Sequence, residues 1–268
     1  MAAKRLGLLA GGGELPLLVA RAARAQGYSV VSIALTDTTP TALQGISERM
    51  YRLSPGQAHR ILSTLRQERI SEVLLIGKVN KEILFERFRF DLRALRLLFR
   101  LPNRDDDTIL AAIVTELEGE GFHVLPPLHF LADQVPSKGV LTRRRPTRRE
   151  WADIEYGVPL AREIGRLGIG QTIVVRDQMV LAVEALEGTD ETIRRGCALG
   201  KEGAVVVKVS RPQQDLRLDM PTVGLQTIRC LAEGKAAALA IEAEKTLLVH
   251  GEEMLEEAER AGLSVVAV

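Results

Sequence analysis

Asp219 stands in the stretch "RPQQDLRLDMPTVGLQT", residues 211 to 227, where its surroundings make it a candidate for chemistry. Leu216, Leu218 and Met220 alternate with Arg217 and Asp219, the period of a strand with one apolar and one charged face. Pro221 ends that strand, Thr222 is placed to cap the next helix, and Leu225, Ile228 and Leu231 mark one face of that helix, which stops near Gly234. The carboxylate thus falls where a strand hands over to a helix N-terminus. There it could deprotonate and orient a water molecule, or hold a divalent cation. Both roles stay open.

Three further polar clusters fall at predicted strand C-termini: "AGGGELP" at 10 to 16, "GKVN" at 77 to 80 and "EGTD" at 187 to 190. Open α/β sheets bind ligands beyond the carboxyl ends of their strands, where helix N-termini offer free N–H groups to anions. Gly11, Gly12 and Gly13 allow close backbone approach to a phosphate or nucleotide. Pro16 stands where the dinucleotide fingerprint needs its third glycine, so that motif is not met. Asp37, ending the second strand, could still imitate a ribose-holding acid, which keeps a nicotinamide-dependent oxidoreductase as a rival reading. Lys78 and Lys208 lie in or beside apolar strands, where an ammonium is costly unless it meets an anion. Lys78 is read as the phosphate contact and Lys208 as a strand end.

"PNRDDDTIL" places three acids before a helix, and one cap needs only one of them. Asp106 and Asp107 are therefore candidates for a cation or a sugar hydroxyl. Thr189 or Asp190 could cap the helix of "ETIRRG", whereas Glu187 precedes Gly188 and is harder to assign to capping. The four histidines show no metal-ligand spacing, and neither a GxSxG elbow nor a Walker loop occurs.

The elements that must position these groups read as α/β. "RLGLLA", "YSVVSIAL" and "EVLLIG" are strands between the helices "LLVARAARAQG" and "AHRILSTLRQERI", a pattern for right-handed crossovers and a mostly parallel, Rossmann-like sheet. "DDDTILAAIVTELEGEG" and "FHVLP" complete a first domain over residues 1–135. Pro, Gly and the run Arg143, Arg144, Arg145, Arg148 and Arg149 mark 136–150 as a basic, solvated linker. A second α/β domain over 151–268 comes next, with strands around a turn at Arg176 to Gln178, a strand "GAVVVKVS", a helix through "AAALAIEAE" and a closing "LSVVAV". This domain carries Asp219.

Composition sets the outer bounds. The chain has 268 residues, 46% hydrophobic and 26% charged, with net charge +1. That balance gives no support for a nucleic-acid partner. Cys197 and Cys230 lack clustered ligands, which fits a reducing cytoplasm and speaks against structural zinc. No apolar run reaches the ~18 residues of a membrane span. The segment 84–100, "LFERFRFDLRALRLLFR", projects as one helix with Leu84, Phe88, Leu92, Leu95 and Phe99 on one side and Arg89, Arg93, Arg96 and Arg100 beside them. Such a helix can lie on an anionic membrane surface or shelter acyl chains.

Taken together, "LGLLAGGGELP", "GKVN", "DDDTIL", "IGQTIVVRDQMVLAVEALEGTD" and "VKVSRPQQDLRLDMPTVGLQTI" resemble, in order and spacing, the motifs of LpxI-type UDP-2,3-diacylglucosamine pyrophosphatases. The resemblance runs from residue 6 to about residue 228. It implies a two-domain, commonly dimeric α/β enzyme, cytoplasmic or peripheral to the inner membrane and active with a divalent cation, usually Mg²⁺. Its reaction would be hydrolysis of UDP-2,3-diacylglucosamine to UMP and 2,3-diacylglucosamine 1-phosphate, on the way to lipid A. The family's essential aspartate falls on Asp219. Substrate contacts are implied for Gly11, Gly12, Gly13, Lys78, Asn80, Asp106, Asp107, Gln171, Glu187, Gly188, Thr189, Asp190, Gln214 and Thr222. The rival from another class is a nucleotide-sugar or lipid-binding protein that uses the same glycines and helix ends without hydrolysis.

Overall fold

In the computed structural model of the protein, residues 4–79, 90–101, 106–212, 215, 217 and 220–268 are described, those at 106 and 107 by backbone alone. The chain forms two compact units. The first comprises Met1–Ala132 with the short segment Asp215–Asp219, and the second Asp133–Gln214 with Met220–Val268. The division is thus not a single cut, and the segment of Asp219 groups with the first unit rather than with the C-terminal domain. Within that segment Arg217 ion-pairs Glu118 at 2.8 Å.

The first unit runs β1 (Arg5–Ala10), α1 (Leu15–Ala25), β2 (Ser29–Ala34), α2 (Leu43–Ile46), β3 (Arg49–Arg52), α3 (Ala58–Gln67), β4 (Glu72–Ile76), α4 (Leu92–Phe99), α5 (Asp106–Gly119), β5 (His123–Val124) and α6 (Leu128–Leu131). Its strands pair in parallel in the order β3-β2-β1-β4-β5. The near-continuous apolar runs of β1, β2 and β4 reflect a parallel sheet buried on both faces. Leu9, Val31, Ile33, Leu65, Val73 and Phe122 belong to the core on one of those faces. Strand order reverses between β1 and β4, the place where doubly wound sheets open a crevice.

The single helix expected over 84–100 is not what forms. α4 starts only at Leu92, because Asp91 adopts extended backbone and its carboxylate caps the N–H groups of Arg93 and Ala94. Residues 84–89 lie outside the described residues. Ala94 is the buried position of α4, Arg93 is ion-paired to Glu116 of α5 and to Glu120 just past it, and Leu92 and Phe99 are 74% and 82% exposed.

The second unit runs β6 (Gly139–Val140), α7 (Arg148–Arg166), β7 (Thr172–Arg176), β8 (Met179–Val183), α8 (Thr189–Gly200), β9 (Val205–Lys208), β10 (Thr222–Val223), α9 (Leu225–Glu233), β11 (Ala238–Ile241), β12 (Leu247–Leu248), α10 (Gly251–Arg260) and β13 (Ser264–Ala267). Six strands form one sheet in the order β6-β13-β11-β9-β7-β8. β9, β11 and β13 are parallel, while β7 is antiparallel to both β9 and β8. The β7–β8 turn places Asp177 and Gln178 at φ 53° and 55°, a shape that favours the twist of a hairpin. Buried Asp153 of α7 holds it by accepting both N–H groups, at 3.1 and 2.6 Å.

Three expectations change here. The stretch 136–150 is built into the second unit rather than being a solvated linker. β6 pairs with β13, the Arg144 guanidinium bonds Glu150 and Ser264, and Thr147 with Glu150 forms a capping box that starts α7 at Arg148. The helix expected through "AAALAIEAE" is instead β11, a central strand whose four residues are all buried. Burial on both faces removes the alternation that would have announced it. Of the strand expected over 216–220, only Arg217 and Met220 are described, and neither is in a strand. Leu216, Leu218 and Asp219 lie outside the described residues; Thr222 belongs to β10, in a ladder with Leu247, and does not cap a helix. Gly224 precedes α9 without a side-chain cap, and the Thr222 hydroxyl donates to Met220 O at 3.0 Å.

Candidate functional site

At the carboxyl edge of the first sheet, the turn after β1 and the turn after β4 lock together. Gly11 N–H donates to Ile76 O at 2.8 Å, Gly12 N–H to Lys78 O at 2.8 Å, and Lys78 N–H to Gly12 O at 2.9 Å. A Cβ on Gly11 would lie 2.6 Å from Lys78 O, and one on Gly12 would collide with the Thr38 hydroxyl. The missing side chains at these two positions are therefore used by loop-on-loop packing. Gly13 differs: it is exposed, at φ +90°, with nothing within 4 Å of where its Cβ would be. Backbone open to an approaching ligand is thus confined to the third glycine. The Lys78 side chain is exposed, so no burial cost demands an anion for it. α5 begins at Asp106, which sets Asp106 and Asp107 in its first turn. Their side chains lie outside the described residues, as do Asn80, Gln214 and Asp219.

At the carboxyl edge of the second sheet the polar groups are side chains. Lys208 ends β9, in register with Thr172 of β7 and Ile241 of β11. Glu184 comes directly after β8, and its N–H donates to Thr172 O at 2.8 Å. α8 enters beside them through Gly188, whose φ of 82° suits glycine, with no side-chain cap. Thr189, first residue of α8, does not cap it. Its hydroxyl donates to Glu184 Oε1 at 2.9 Å and accepts from Lys208 Nζ at 3.1 Å. Asp190 accepts a long bond, 3.4 Å, from the Thr227 hydroxyl of α9. Gln171 N–H donates to Glu184 Oε2 at 3.4 Å, while the Gln171 Oε1 is buried without a hydrogen-bond partner among the described residues.

Glu187 is taken up by the local turn. It accepts from Ala185 N–H at 3.2 Å and the Thr192 hydroxyl at 3.3 Å, and it ion-pairs Arg195. Bonds from backbone N–H groups of its own turn, and after them Arg195, hold its carboxyl below the usual carboxylate range. It therefore supports the entry to α8.

Residue types and spacing alone assign no site role to Lys208, Glu184 or Glu242. Lys208 and Glu184 are 6% and 7% exposed, and Lys208 is the buried cation among the described residues. Glu242, just past β11, accepts from the Ser210 N–H at 2.9 Å and its hydroxyl at 2.6 Å, and pairs with Arg162 at 3.2 Å and Lys245 at 3.1 Å. Burial pushes the Glu242 carboxyl up, but Ser210 and Lys245 outweigh it and leave the group below its ordinary value. The three share one signal that could have found them: a charged residue at the end of an apolar run, where only a partner makes burial tolerable. Among the described residues, no three His, Cys, Asp or Glu side chains converge in a way that could hold a metal ion.

This arrangement leaves the first N–H groups of α8 without a side-chain cap at the mouth of the second sheet, beside the bonded series of Lys208, Thr189 and Glu184. The LpxI N-terminal domain family matches residues 5–134 and the LpxI C-terminal domain family residues 137–266. A UDP-2,3-diacylglucosamine pyrophosphatase LpxI from Caulobacter vibrioides is 33% identical over 283 aligned positions, covering 99% of this chain and 98% of the relative. Among solved structures, an ADP complex of purK, an N5-carboxyaminoimidazole ribonucleotide synthetase, is 15% identical with a TM-score of 0.28, over 65% of this chain and 34% of that one. The biotin carboxylase domain of a single-chain bacterial carboxylase is 15% identical with a TM-score of 0.30, over 63% and 35%. The chain spans about a third of the length of those two structures, and likeness at that level carries no argument. The two domain matches and the full-length relative do: the chain belongs to the LpxI family.

Proposed function

We propose that this chain is a hydrolase of lipid A biosynthesis that cleaves the diphosphate of UDP-2,3-diacylglucosamine with water. The products are UMP and 2,3-diacylglucosamine 1-phosphate. The observation that carries this reading is the match of both halves to the LpxI domains, together with a named pyrophosphatase aligned from end to end.

Water oxygen attacks the phosphorus nearer the sugar, the anhydride P–O bond breaks, and UMP leaves with the bridging oxygen. Asp219 is assigned to the water, as its general base or through a bound cation. A positioned base supplies roughly 10²–10⁴-fold, while enzymes reach about 10⁶-fold or more. The difference has to come from stabilising charge that builds up on an already anionic diphosphate. Gly13 and Lys78 are assigned to nucleotide or diphosphate, as are Asn80 and Gln214. Gly188, Thr189, Asp190 and Gln171 are assigned to the phosphosugar end. The Gly188–Asp190 turn fits this role because α8 opens there with no side chain covering its N–H groups.

Mg²⁺ is the cofactor we assign. It keeps several waters and binds through one or two carboxylates plus substrate oxygens, so a protein cage of three ligands is not required. Of the described carboxylates at this edge, Asp190 fits best, since its side-chain hydrogen bond among the described residues is long whereas Glu184, Glu187 and Glu242 are engaged by closer partners. When bound, the ion supplies charge neutralisation at the diphosphate.

We place the protein in the cytoplasm as a homodimer that touches the inner-membrane surface transiently. No helix among the described residues is long and apolar enough to cross a membrane. Exposed Leu92 and Phe99 on α4, with Arg96 and Arg100 beside them, suit an anionic bilayer surface. Co-sedimentation with anionic vesicles, lost in Leu92→Glu/Phe99→Glu, tests that contact.

The activity test is incubation of the purified chain with UDP-2,3-diacylglucosamine and Mg²⁺, and then ³¹P NMR. The expected result is equimolar UMP and sugar 1-phosphate. Tight substrate binding with no UMP would leave a binding protein instead.

A further inference from the structure

The edge of the second sheet that carries Gln171 and Gly188 also carries aliphatic side chains that the fold does not bury. Leu186 is 95% exposed, Leu167 61% and Ile169 48%. Exposed apolar residues scattered singly need no explanation, but these fall on two loops that the chain presses together. Residues 167–171 lead into β7 and residues 184–188 lead out of β8, and the pairing of Ile173 with Val183 brings both loops to one edge. Gln171 N–H donates to Glu184 Oε2 at 3.4 Å, and Glu184 N–H to Thr172 O at 2.8 Å. A Cβ on Gly170 would collide with Glu184 O, so the closeness of the loops itself depends on a glycine. Ile169 and Leu186 flank that contact, one on each loop.

Local structure accounts for one of the three. Gly168, at φ 71°, closes α7 in a Schellman motif: its N–H donates to Gly165 O at 3.0 Å, and Ile169 N–H donates to Ile164 O at 3.2 Å. That motif favours an apolar residue at 169 facing Ile164. It asks for no leucine at 167. The turn that Glu187 braces through Ala185 N–H asks for none at 186.

The chemistry of the substrate supplies the occupant. Gln171 and Gly188, assigned above to the phosphosugar end, stand two residues from Ile169 and Leu186. In 2,3-diacylglucosamine 1-phosphate the acyl groups hang from the two ring carbons that follow the phosphate-bearing one. A phosphosugar seated at this edge therefore starts both chains on its immediate rim, where hydrocarbon is driven to apolar partners. We propose that Leu167, Ile169 and Leu186 form an apolar rim over which the fatty acyl chains of the substrate leave the site. This rests on the hydrolase reading. It moves the acyl contact from the helix of residues 84–100, which the sequence offers for it, to the second unit, and leaves the exposed Leu92 and Phe99 of α4 to the bilayer surface.

The test compares the wild-type full chain with the rim variant Leu167→Gln/Ile169→Thr/Leu186→Gln and a control, Met179→Gln/Leu199→Gln. The control residues are 63% and 65% exposed and lie at the start of β8 and the end of α8, the opposite edge of the sheet. The probes are two forms of 2,3-diacylglucosamine 1-phosphate that stay monomeric in water, one with acetyl and one with hexanoyl chains. Their affinities are read together with melting temperature and kcat/KM with Mg²⁺. Wild type is expected to prefer the hexanoyl form. The rim variant should keep its melting temperature and its affinity for the acetyl form, and lose at least about tenfold of the preference, which is less than full burial of one leucine side chain is worth. The control should match wild type. A wild type without the preference, a rim variant that retains it, or an equal loss in the control would overturn the proposal. The affinity ratio needs no turnover: if wild type released no UMP while the ratio still collapsed in the rim variant, the hydrolase reading would fall and the rim would stand. Turnover with the ratio intact would do the reverse.

Discussion

The two sheets end in carboxyl edges that are built by different means. At the first, the resource is backbone: Gly11 and Gly12 pack their missing side chains against Lys78 O and Thr38, and only Gly13 is open. Its cation, Lys78, is in solvent, where a charge is screened. At the second edge the resource is buried side chains, with Lys208, Thr189 and Glu184 bonded in series and Glu242 gripping Ser210. Low dielectric strengthens such bonds and makes every lost partner costly. The difference separates an edge whose charge is screened by solvent from one whose polar groups depend on their partners.

The contrast can be broken most severely at Asp219. Asp219→Ala should lower kcat by about 10²–10⁴-fold, the value of a positioned base, with melting temperature and substrate affinity kept. Unchanged turnover would remove the residue from the chemistry. Next is Glu242→Gln, which removes the charge from its bonds to Ser210, worth about 1.5–3 kcal/mol each. Thermal melts should show that loss at neutral pH. Because the folded carboxyl lies below its unfolded value of about 4.3, its contribution is full above that pH and disappears as pH falls through the folded value. Wild type and variant should therefore converge in acid, and parallel melting curves down to that range would contradict the assignment.

At the first edge, Gly11→Ala should cost about 1–3 kcal/mol or more of overpacking against Lys78 O, read as a lower melting temperature. Gly13→Ala meets no atom and costs about 1–2 kcal/mol of backbone strain, but should weaken UMP binding more than Gly11→Ala does. Equal affinity losses would erase the distinction between packing and ligand-facing glycines. The smallest effect is expected at Lys78→Ala: no change in melting temperature and a several-fold rise in KM.

Much of this architecture is legible in the residues alone. The apolar runs of β1, β2, β4 and β9, the hairpin turn at Asp177 and Gln178, and the helices closed by Gly27 and Gly234 carry their own local signals. β11 does not, because "ALAI" buried on both faces has neither helical nor alternating periodicity. β3, "RMYR", is silent because an edge strand with charged ends resembles a loop. The arginines of 143–149 look solvated since the partners of Arg144, Glu150 and Ser264, are set by tertiary packing. The same reason hides the bridge at Lys208. Composition shows that a lysine ends β9, but only the ladder pairing brings Thr172, Glu184 and Thr189 to it. Neighbourhood in space across separate strands is the one part of a site that spacing cannot supply.

The central claim is that the substrate diphosphate is met at the carboxyl edge of the second sheet. A crystal structure of the Asp219→Ala protein with UDP-2,3-diacylglucosamine bound tests it directly. The account predicts a diphosphate oxygen within about 3 Å of a backbone N–H in the first turn of α8, a normal hydrogen-bond length, with the Thr189–Glu184 bond intact. A diphosphate seated elsewhere, with those N–H groups untouched, would contradict it.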